Sequence, residues 1–485
     1  MIAIKITPAV FEYDVQSLVQ AFYPGQDFQV NKEDASASKT IQVFFRDNEI
    51  TAEISAKGLE FLKAQKKISV DCQDEAQRRI VKNELKKVLY ELFVKDTGKE
   101  LPWGNLTGIR PAKIPALMME EGKTEEEIRL FMKEEYLISE EKLNLAMQVA
   151  NKERQLLQNM DYKNGYSLYV GIPFCPTTCL YCSFTSFPVQ RYREKIDDYV
   201  SAVIKEMEFL GEQLKGRELN TVYIGGGTPT TLEPEHLKRL IEALKSNFDF
   251  TTVREFTVEA GRPDSITEEK LMVLKECGVD RISINPQTMN EETLKIIGRK
   301  HTVEQVKDAF KMARKAGFDN VNMDFILGLP EETEEMIRYS FEEAAKLQPE
   351  SLTVHSLALK RASRMSMNYG KYQDLKMEND SDLMKIAASY AEGLQMEPYY
   401  LYRQKNMAGN QENIGYAIPG KECLYNILMM GDYQDVWAVG AGAVTKLLSE
   451  NRLEGKRIDT LKNVDLYIER IDEMIERKAE FFRGL

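Results

Sequence analysis

The sequence of 485 residues contains no apolar run of the roughly 18 residues that a membrane-crossing helix needs, which argues against a spanning segment. It has no surplus of cations either. Lys plus Arg total 65 against 77 Asp plus Glu, a formal net charge of −12. Binding to a nucleic-acid backbone wants the opposite balance, so no nucleic-acid partner is expected, although a local basic pocket is compatible with the count. Six cysteines are too few for a disulfide scaffold in a chain this long. The first residues, MIAIKITPAVFEYDVQ, show no basic region followed by an apolar stretch, so they do not read as a secretory leader and a cytoplasmic setting is expected. Hydrophobic residues at 43% and charged residues at 29% exclude a disordered chain.

The length fits two or three domains, or one large barrel with additions. Residues 1–95 read as a small α/β domain. Ile2–Ile6, Val43–Phe45 and Ala52–Ile54 are strand-like, the latter two around a turn at Asn48-Glu49. From Glu75 to Leu92, Ile80, Val81, Leu85, Val88, Leu89 and Leu92 recur at helical spacing. Cys72 stands alone and reads as a bystander. Residues 96–158 read as a connector: a glycine- and proline-dense stretch from Pro102-Trp103-Gly104 to Arg110-Pro111, then two charged helices over 116–158.

Residues 159–360 change character. Strands are expected at Tyr166–Ile172, Thr221–Ile224, Glu255–Val258, Asp280–Ile284, Asn320–Ile326 and Ser351–Leu357, with helices between them. Thr302 to Gln305 fits a capping box, and Asn290 and Thr333 can cap helices that open with acids. Strands alternating with helices give a parallel sheet by right-handed crossovers. Six such units define an α/β fold, a partial (β/α)6 TIM-like barrel, with residues 361–485 as a C-terminal accessory domain. Ligands in this architecture sit at the C-terminal strand ends. The unusual residues fall at those ends: cysteines after the first strand, glycines after the second, then Glu259, Gln287 and Asp324.

Cys175, Cys179 and Cys182 have the spacing C-x3-C-x2-C, which lets one loop aim three thiolates at one cubane. Soft thiolates select zinc, copper or iron–sulfur centres. Zinc would want a fourth protein ligand, and the three histidines, His236, His301 and His355, lie far along the chain. A [4Fe–4S] cluster with one open iron fits the three ligands better, and it wants a reducing compartment. Cys277 sits at core spacing with Leu271 and Leu274, and Cys423 has no cysteine partner nearby.

The motif, with Tyr181 before its last cysteine, resembles the radical S-adenosylmethionine superfamily. Over about residues 165–450 the chain looks like the oxygen-independent coproporphyrinogen III oxidase (coproporphyrinogen dehydrogenase) family, and its N-terminal extension like the HemZ-type branch. The resemblance implies that S-adenosylmethionine chelates the open iron of a [4Fe–4S] cluster and yields a 5′-deoxyadenosyl radical, with no catalytic residue beyond cluster and cofactor. It implies cofactor contacts at Tyr169, Gly225, Gly226, Gly227, Thr228, Glu259, Gln287, Arg299 and Asp324. The glycines would clear space for the cofactor. Arg299 would clamp its carboxylate.

The implied activity is oxidative decarboxylation of two propionates of coproporphyrinogen III to vinyl groups, giving protoporphyrinogen IX in heme biosynthesis. It requires an electron donor for the cluster and an electron acceptor that the sequence does not identify. Arg403 and Lys405 could meet propionates, and Tyr402 could pack on a pyrrole. Two departures from the family pattern stand out. The acid of strand three is followed by Ala260-Gly261-Arg262-Pro263 in place of an Asn-Pro pair, and Cys182-Ser183-Phe184 lacks a further cysteine. The latter pattern also looks like the family's heme-binding chaperones, so a heme chaperone or an anaerobic heme-modifying enzyme is the alternative.

Overall fold

The structure, a computed structural model, describes all residues except 33–36, 47, 57, 59, 70–74, 109, 359, 361, 373–374, 378, 405–406, 449–454 and 484–485. The chain forms two compact units: Met1–Gln148 with Arg403–Glu412, and Val149–Tyr402 with Asn413–Leu485.

Among the described residues the smaller unit holds five strands: Ile2–Thr7 (β1), Phe28–Val30 (β2), Lys39–Arg46 (β3), Glu49–Ala56 (β4) and Leu62–Lys67 (β5). Their order is β2-β1-β3-β4-β5. β1 runs parallel to β2 and β3, and β3 to β5 form antiparallel hairpins. The turn expected at Asn48-Glu49 joins β3 to β4, with Asn48 at φ 58°. The amphipathic helix spans Arg78–Thr97, further along than the spacing suggests, because buried Phe93 prolongs its apolar stripe. Three helices follow where two are expected: Lys113–Glu120, Glu125–Tyr136 and Glu140–Leu157. A capping box between Thr124 and Glu127 starts the second and supplies the extra break.

The 403–412 segment is sewn into this unit. Trp103 Nε1 donates to Glu412 Oε2 at 2.8 Å and Lys142 Nζ reaches Glu412 Oε1 at 2.7 Å, all three side chains being buried. Burying that carboxylate is tolerable because both its oxygens are paired.

The larger unit is built on Tyr166–Ile172 (β6), Phe174–Cys175 (β7), Phe187–Pro188 (β8), Leu219–Gly226 (β9), Glu255–Glu259 (β10), Arg281–Ser283 (β11), Val321–Leu327 (β12), Ser351–Ser356 (β13), Glu397–Tyr402 (β14), Asn413–Ala417 (β15), Asp435–Val439 (β16), Val444–Leu448 (β17) and Gly455–Asp459 (β18). Its main sheet has the order β14-β15-β13-β12-β11-β10-β9-β6-β16-β17-β18. β6 and β9 to β13 are the six expected strands, all parallel. The partial barrel is thus present. A seventh parallel strand, β16, comes from the C-terminal third and pairs with β6. On the other edge β15 is antiparallel to β13. Thr302 and Thr333 cap their helices as expected, whereas the Asn290 side chain makes no cap bond and is drawn instead to Thr288, Glu332 and Ser340.

Strand register sorts the residues by face. Leu168, Val170, Val222, Ile224, Phe256, Val258, Ile282, Val321, Met323, Leu352 and Val354 share one face and are all buried. The other face carries Tyr169, Tyr223, Thr257, Glu259, Arg281, Ser283, Asn322, Asp324, Thr353 and His355. An apolar face buries against the crossover helices, and a polar inner face has a cost that ligands or internal pairing must offset.

Candidate functional site

The site begins where β6 ends. β7 carries Cys175 and pairs with β8, which closes the cysteine loop on itself. The loop is tied down elsewhere too. Gly227 N donates to Ile172 O at 2.8 Å and Thr228 N to Phe174 O at 2.7 Å. Leu180 N donates to Ile297 O at 3.0 Å, and Met365 N to Leu180 O at 2.9 Å. Cys179 is buried, with Cys175 and Cys182 half-buried beside it. Burial pushes the Cys182 thiol up to about 11 and raises that of Cys175, so a metal must displace protons to bind here. Two side chains donate to the sulfurs: Thr228 Oγ1 to Cys175 at 3.5 Å and Arg262 Nη1 to Cys179 at 3.7 Å.

The glycine run adjoins this loop, and the protein's own packing gives a reason for it beside the expected one. A Cβ at Gly227 would lie 2.5 Å from Phe174 O, and one at Gly225 would lie 2.8 Å from the Tyr223 ring and 2.9 Å from the Glu259 carboxyl carbon. Both glycines are demanded by the protein's own packing, before any cofactor is considered. The space at Gly225 admits Glu259, whose Oε1 accepts from Tyr223 Oη at 2.5 Å. Burial pushes the Glu259 carboxyl up to about 7 despite that bond. Tyr223 stacks on Tyr425 with centroids 4.4 Å apart, and Tyr169 lies 6.2 Å from the Tyr223 ring.

Further round the barrel, Gln287 adopts φ 69°, held by Gln287 N to Asp324 O at 2.9 Å and Ile326 N to Gln287 O at 3.0 Å. Among the described residues its Oε1 has no hydrogen-bond partner, nor do Asn285 Oδ1 and Ser283 Oγ along the same strand and its end, and all three are buried. Asp324 accepts from Asn322 Nδ2 at 2.6 Å, with His355 Nε2 3.9 Å away. Burial alone would raise this carboxyl, but His355, Asn322 and Thr353 outweigh it and hold it below its usual range. Arg299 spends its donors on the protein: Asn285 O at 2.6 Å, Gly261 O at 3.0 Å and Tyr181 Oη at 3.3 Å.

The substrate-side candidates divide. Tyr402 ends a segment of the larger unit and stacks with Tyr400 at 6.3 Å, whereas Arg403 begins the inserted segment of the smaller one. Arg403 donates to Leu106 O at 2.5 Å and Asn410 O at 3.2 Å and lies over Trp103. Lys405 and Cys72 lie outside the described residues. Sequence reasoning missed Arg262, Ser283, Asn285, His355 and Tyr425. The departure at Gly261-Arg262 was the one signal for the first. Alternation along β11 and β13 would have placed Ser283 and His355 inside.

Among the described residues, no three His, Cys, Asp or Glu side chains are grouped to hold one metal ion. A cubane makes a different demand, since each thiolate binds its own iron and the sulfurs need not converge on a point. Three soft thiols on one anchored loop, each with a hydrogen-bond partner, fit that group by their chemistry. The orphaned acceptors of Asn285 and Gln287 suit a ligand bearing hydroxyl or amino donors, which S-adenosylmethionine does.

Residues 169–344 match the model of the radical SAM superfamily. The chain is 38% identical to the oxygen-independent coproporphyrinogen-III oxidase-like protein HemZ of Bacillus subtilis, over 90% of this chain and 89% of that one. It is 32% identical to the heme chaperone HemW of Lactococcus lactis, over 66% of this chain and 81% of that one. Among solved structures, coproporphyrinogen III oxidase (HemN) from Escherichia coli, a radical SAM enzyme, superposes with a TM-score of 0.53 at 23% identity, over 66% of this chain and 73% of that one, a likeness of fold. The chain is a radical SAM protein and belongs to the oxygen-independent coproporphyrinogen-III oxidase-like family.

Proposed function

We propose that the protein is an oxidoreductase that decarboxylates two propionates of coproporphyrinogen III to vinyl groups, giving protoporphyrinogen IX. The observation that carries this reading is the three-cysteine loop at the strand ends with the orphaned acceptors of Asn285 and Gln287 just after β11, in a chain 38% identical to a relative named an oxygen-independent coproporphyrinogen-III oxidase-like protein. Cys175, Cys179 and Cys182 hold a [4Fe–4S] cluster. Tyr169, Gly225 to Thr228, Glu259, Gln287, Arg299 and Asp324 border the S-adenosylmethionine site. When bound, the pair supplies one-electron hydrogen abstraction from the propionate β-carbon.

The chain's own residues do the rest. Gln287 and Asn285 offer acceptors to ligand hydroxyl or amino groups, and Tyr223 orients Glu259. Tyr169, Tyr223, Glu259, Asp324 and His355 are half-buried on the inner face, and a bound ligand would complete the exclusion of water there. On the substrate side Tyr402 packs on the macrocycle, while Arg403 gives its donors to Leu106 O and Asn410 O. Loss of carbon dioxide and one electron per propionate requires an electron acceptor, and reduction of the cluster requires a donor. Thiols kept reduced fit a cytoplasmic setting, and no helix among the described residues is long and apolar enough to cross a membrane.

A second reading, heme binding as a chaperone, is favoured by the similarity to HemW. Anaerobic incubation of reconstituted protein with reductant, S-adenosylmethionine and coproporphyrinogen III, beside a parallel incubation with heme, separates the two. Protoporphyrinogen by mass spectrometry supports the first. Stable heme capture with unconsumed coproporphyrinogen refutes it in favour of the second.

A further inference from the structure

Arg262 is 3% exposed, sits two residues before Asp264, and breaks the family's sequence pattern at that point. Its guanidinium is held in a fork by Asp264: Nε to Oδ1 at 2.9 Å and Nη2 to Oδ2 at 2.8 Å. The opposite edge faces the cysteine loop. Nη1 donates to Thr177 O at 3.1 Å and to Cys179 Sγ at 3.7 Å, and Nη2 donates to Thr177 Oγ1 at 3.2 Å. A buried arginine orienting on a carboxylate behind it and reaching a sulfur in front of it is an arrangement with one direction. Two other guanidiniums lie near: Arg299 gives its donors to three oxygens and to His301 Nδ1, and Arg364 donates to Thr178 O at 3.2 Å.

We propose that Arg262 is a positioning residue for the cluster: it anchors the Cys179 end of the loop and, by placing a cation and an N–H···S bond on that thiolate, makes the cluster easier to reduce. The inference rests on the cluster reading above. Reduction adds negative charge, which a fixed cation stabilises, and hydrogen bonds to cluster sulfurs act in the same direction. Burial limits the screening that would weaken the effect at a surface.

The test is a dye-mediated redox titration of the reconstituted cluster, followed by electron paramagnetic resonance, on wild type, Arg262→Gln and Arg262→Lys. Glutamine keeps an amide donor and removes the charge, and lysine keeps the charge and loses the fork. Arg262→Gln is expected to titrate at a more negative potential, with Arg262→Lys returning toward wild type. An Arg262→Gln cluster loaded like wild type with an unchanged potential overturns the inference. If Arg262→Gln holds no iron but Arg262→Lys does, the charge at the thiolate is what the loop needs, as proposed. If neither holds iron while both keep wild-type circular dichroism, the role is steric and the proposal fails. A wild-type protein that assembles no [4Fe–4S] cluster would instead refute the underlying reading.

Discussion

Replacing Gly227 with alanine tests how the barrel and the cysteine loop are joined. The new Cβ would stand 2.5 Å from Phe174 O and 2.8 Å from Ile172 O. Carbon–oxygen contacts settle at about 3.3–3.6 Å, so the two backbones must part by roughly 0.5–1 Å. The same two oxygens accept the 2.7 and 2.8 Å hydrogen bonds from Thr228 N and Gly227 N. Weakening both and overpacking the contact costs about 2–4 kcal/mol. A domain with about 5–15 kcal/mol in reserve still folds. The damage is concentrated on Phe174–Cys175 and on the Thr228 bond to Cys175. Calorimetry should show melting lowered by a few degrees, and anaerobic reconstitution should show reduced iron uptake. Gly393→Ala is the control. It ends the helix Ser381–Gly393 with nothing within 4 Å of its Cβ, so melting and iron content should stay near wild type. A Gly227→Ala protein with unaltered melting and full iron content would refute this account of the glycine run.

Three further outcomes follow from buried charges and bonds. Lys478 and Glu206 are fully buried and paired, and Glu206 also accepts from Gly440 N at 3.0 Å, so Lys478→Met strands a carboxylate and should destabilise the larger unit by about 3–5 kcal/mol in denaturant titration. Glu259 is held near 7 in the folded protein, above its unfolded value, so its contribution is full at low pH and is lost as pH rises through 7; Glu259→Gln should flatten that fall in stability between about pH 4.5 and 7, and an unchanged slope refutes the assignment. Trp103→Phe removes the donor to Glu412 Oε2 and should lower the stability of the smaller unit by about 1–2 kcal/mol, read by hydrogen exchange at Lys142 and Glu412.

The six parallel strands were legible because most of their residues alternate, although β12 ends in the apolar run Phe325-Ile326-Leu327. Thr221-Val222-Tyr223-Ile224 shows apolar residues toward the helices and polar ones inward. β16 was not legible, since Val436-Trp437-Ala438-Val439 is apolar without alternation and what makes it a strand is its pairing with β6, some 270 residues earlier in the chain. The return of Arg403–Glu412 to the smaller unit has the same character, because the Trp103–Glu412 bond spans 309 residues and leaves no local mark. At the site, cysteine spacing is a local property and could be read directly. The glycines were visible, but their reason was not, because it lies in the Phe174 and Ile172 carbonyls and the Glu259 carboxyl of neighbouring strands. Arg262 was visible as a departure, yet its burial and its bond to Cys179 depend on two loops meeting.

The most direct measurement of the central claim is the electron paramagnetic resonance spectrum of the anaerobically rebuilt, reduced protein, recorded with and without S-adenosylmethionine. The expected result is a [4Fe–4S] signal whose g-values move on adding the cofactor and which disappears when Cys175, Cys179 or Cys182 is replaced by alanine. A signal indifferent to the cofactor, or one that survives loss of any of these cysteines, would contradict it.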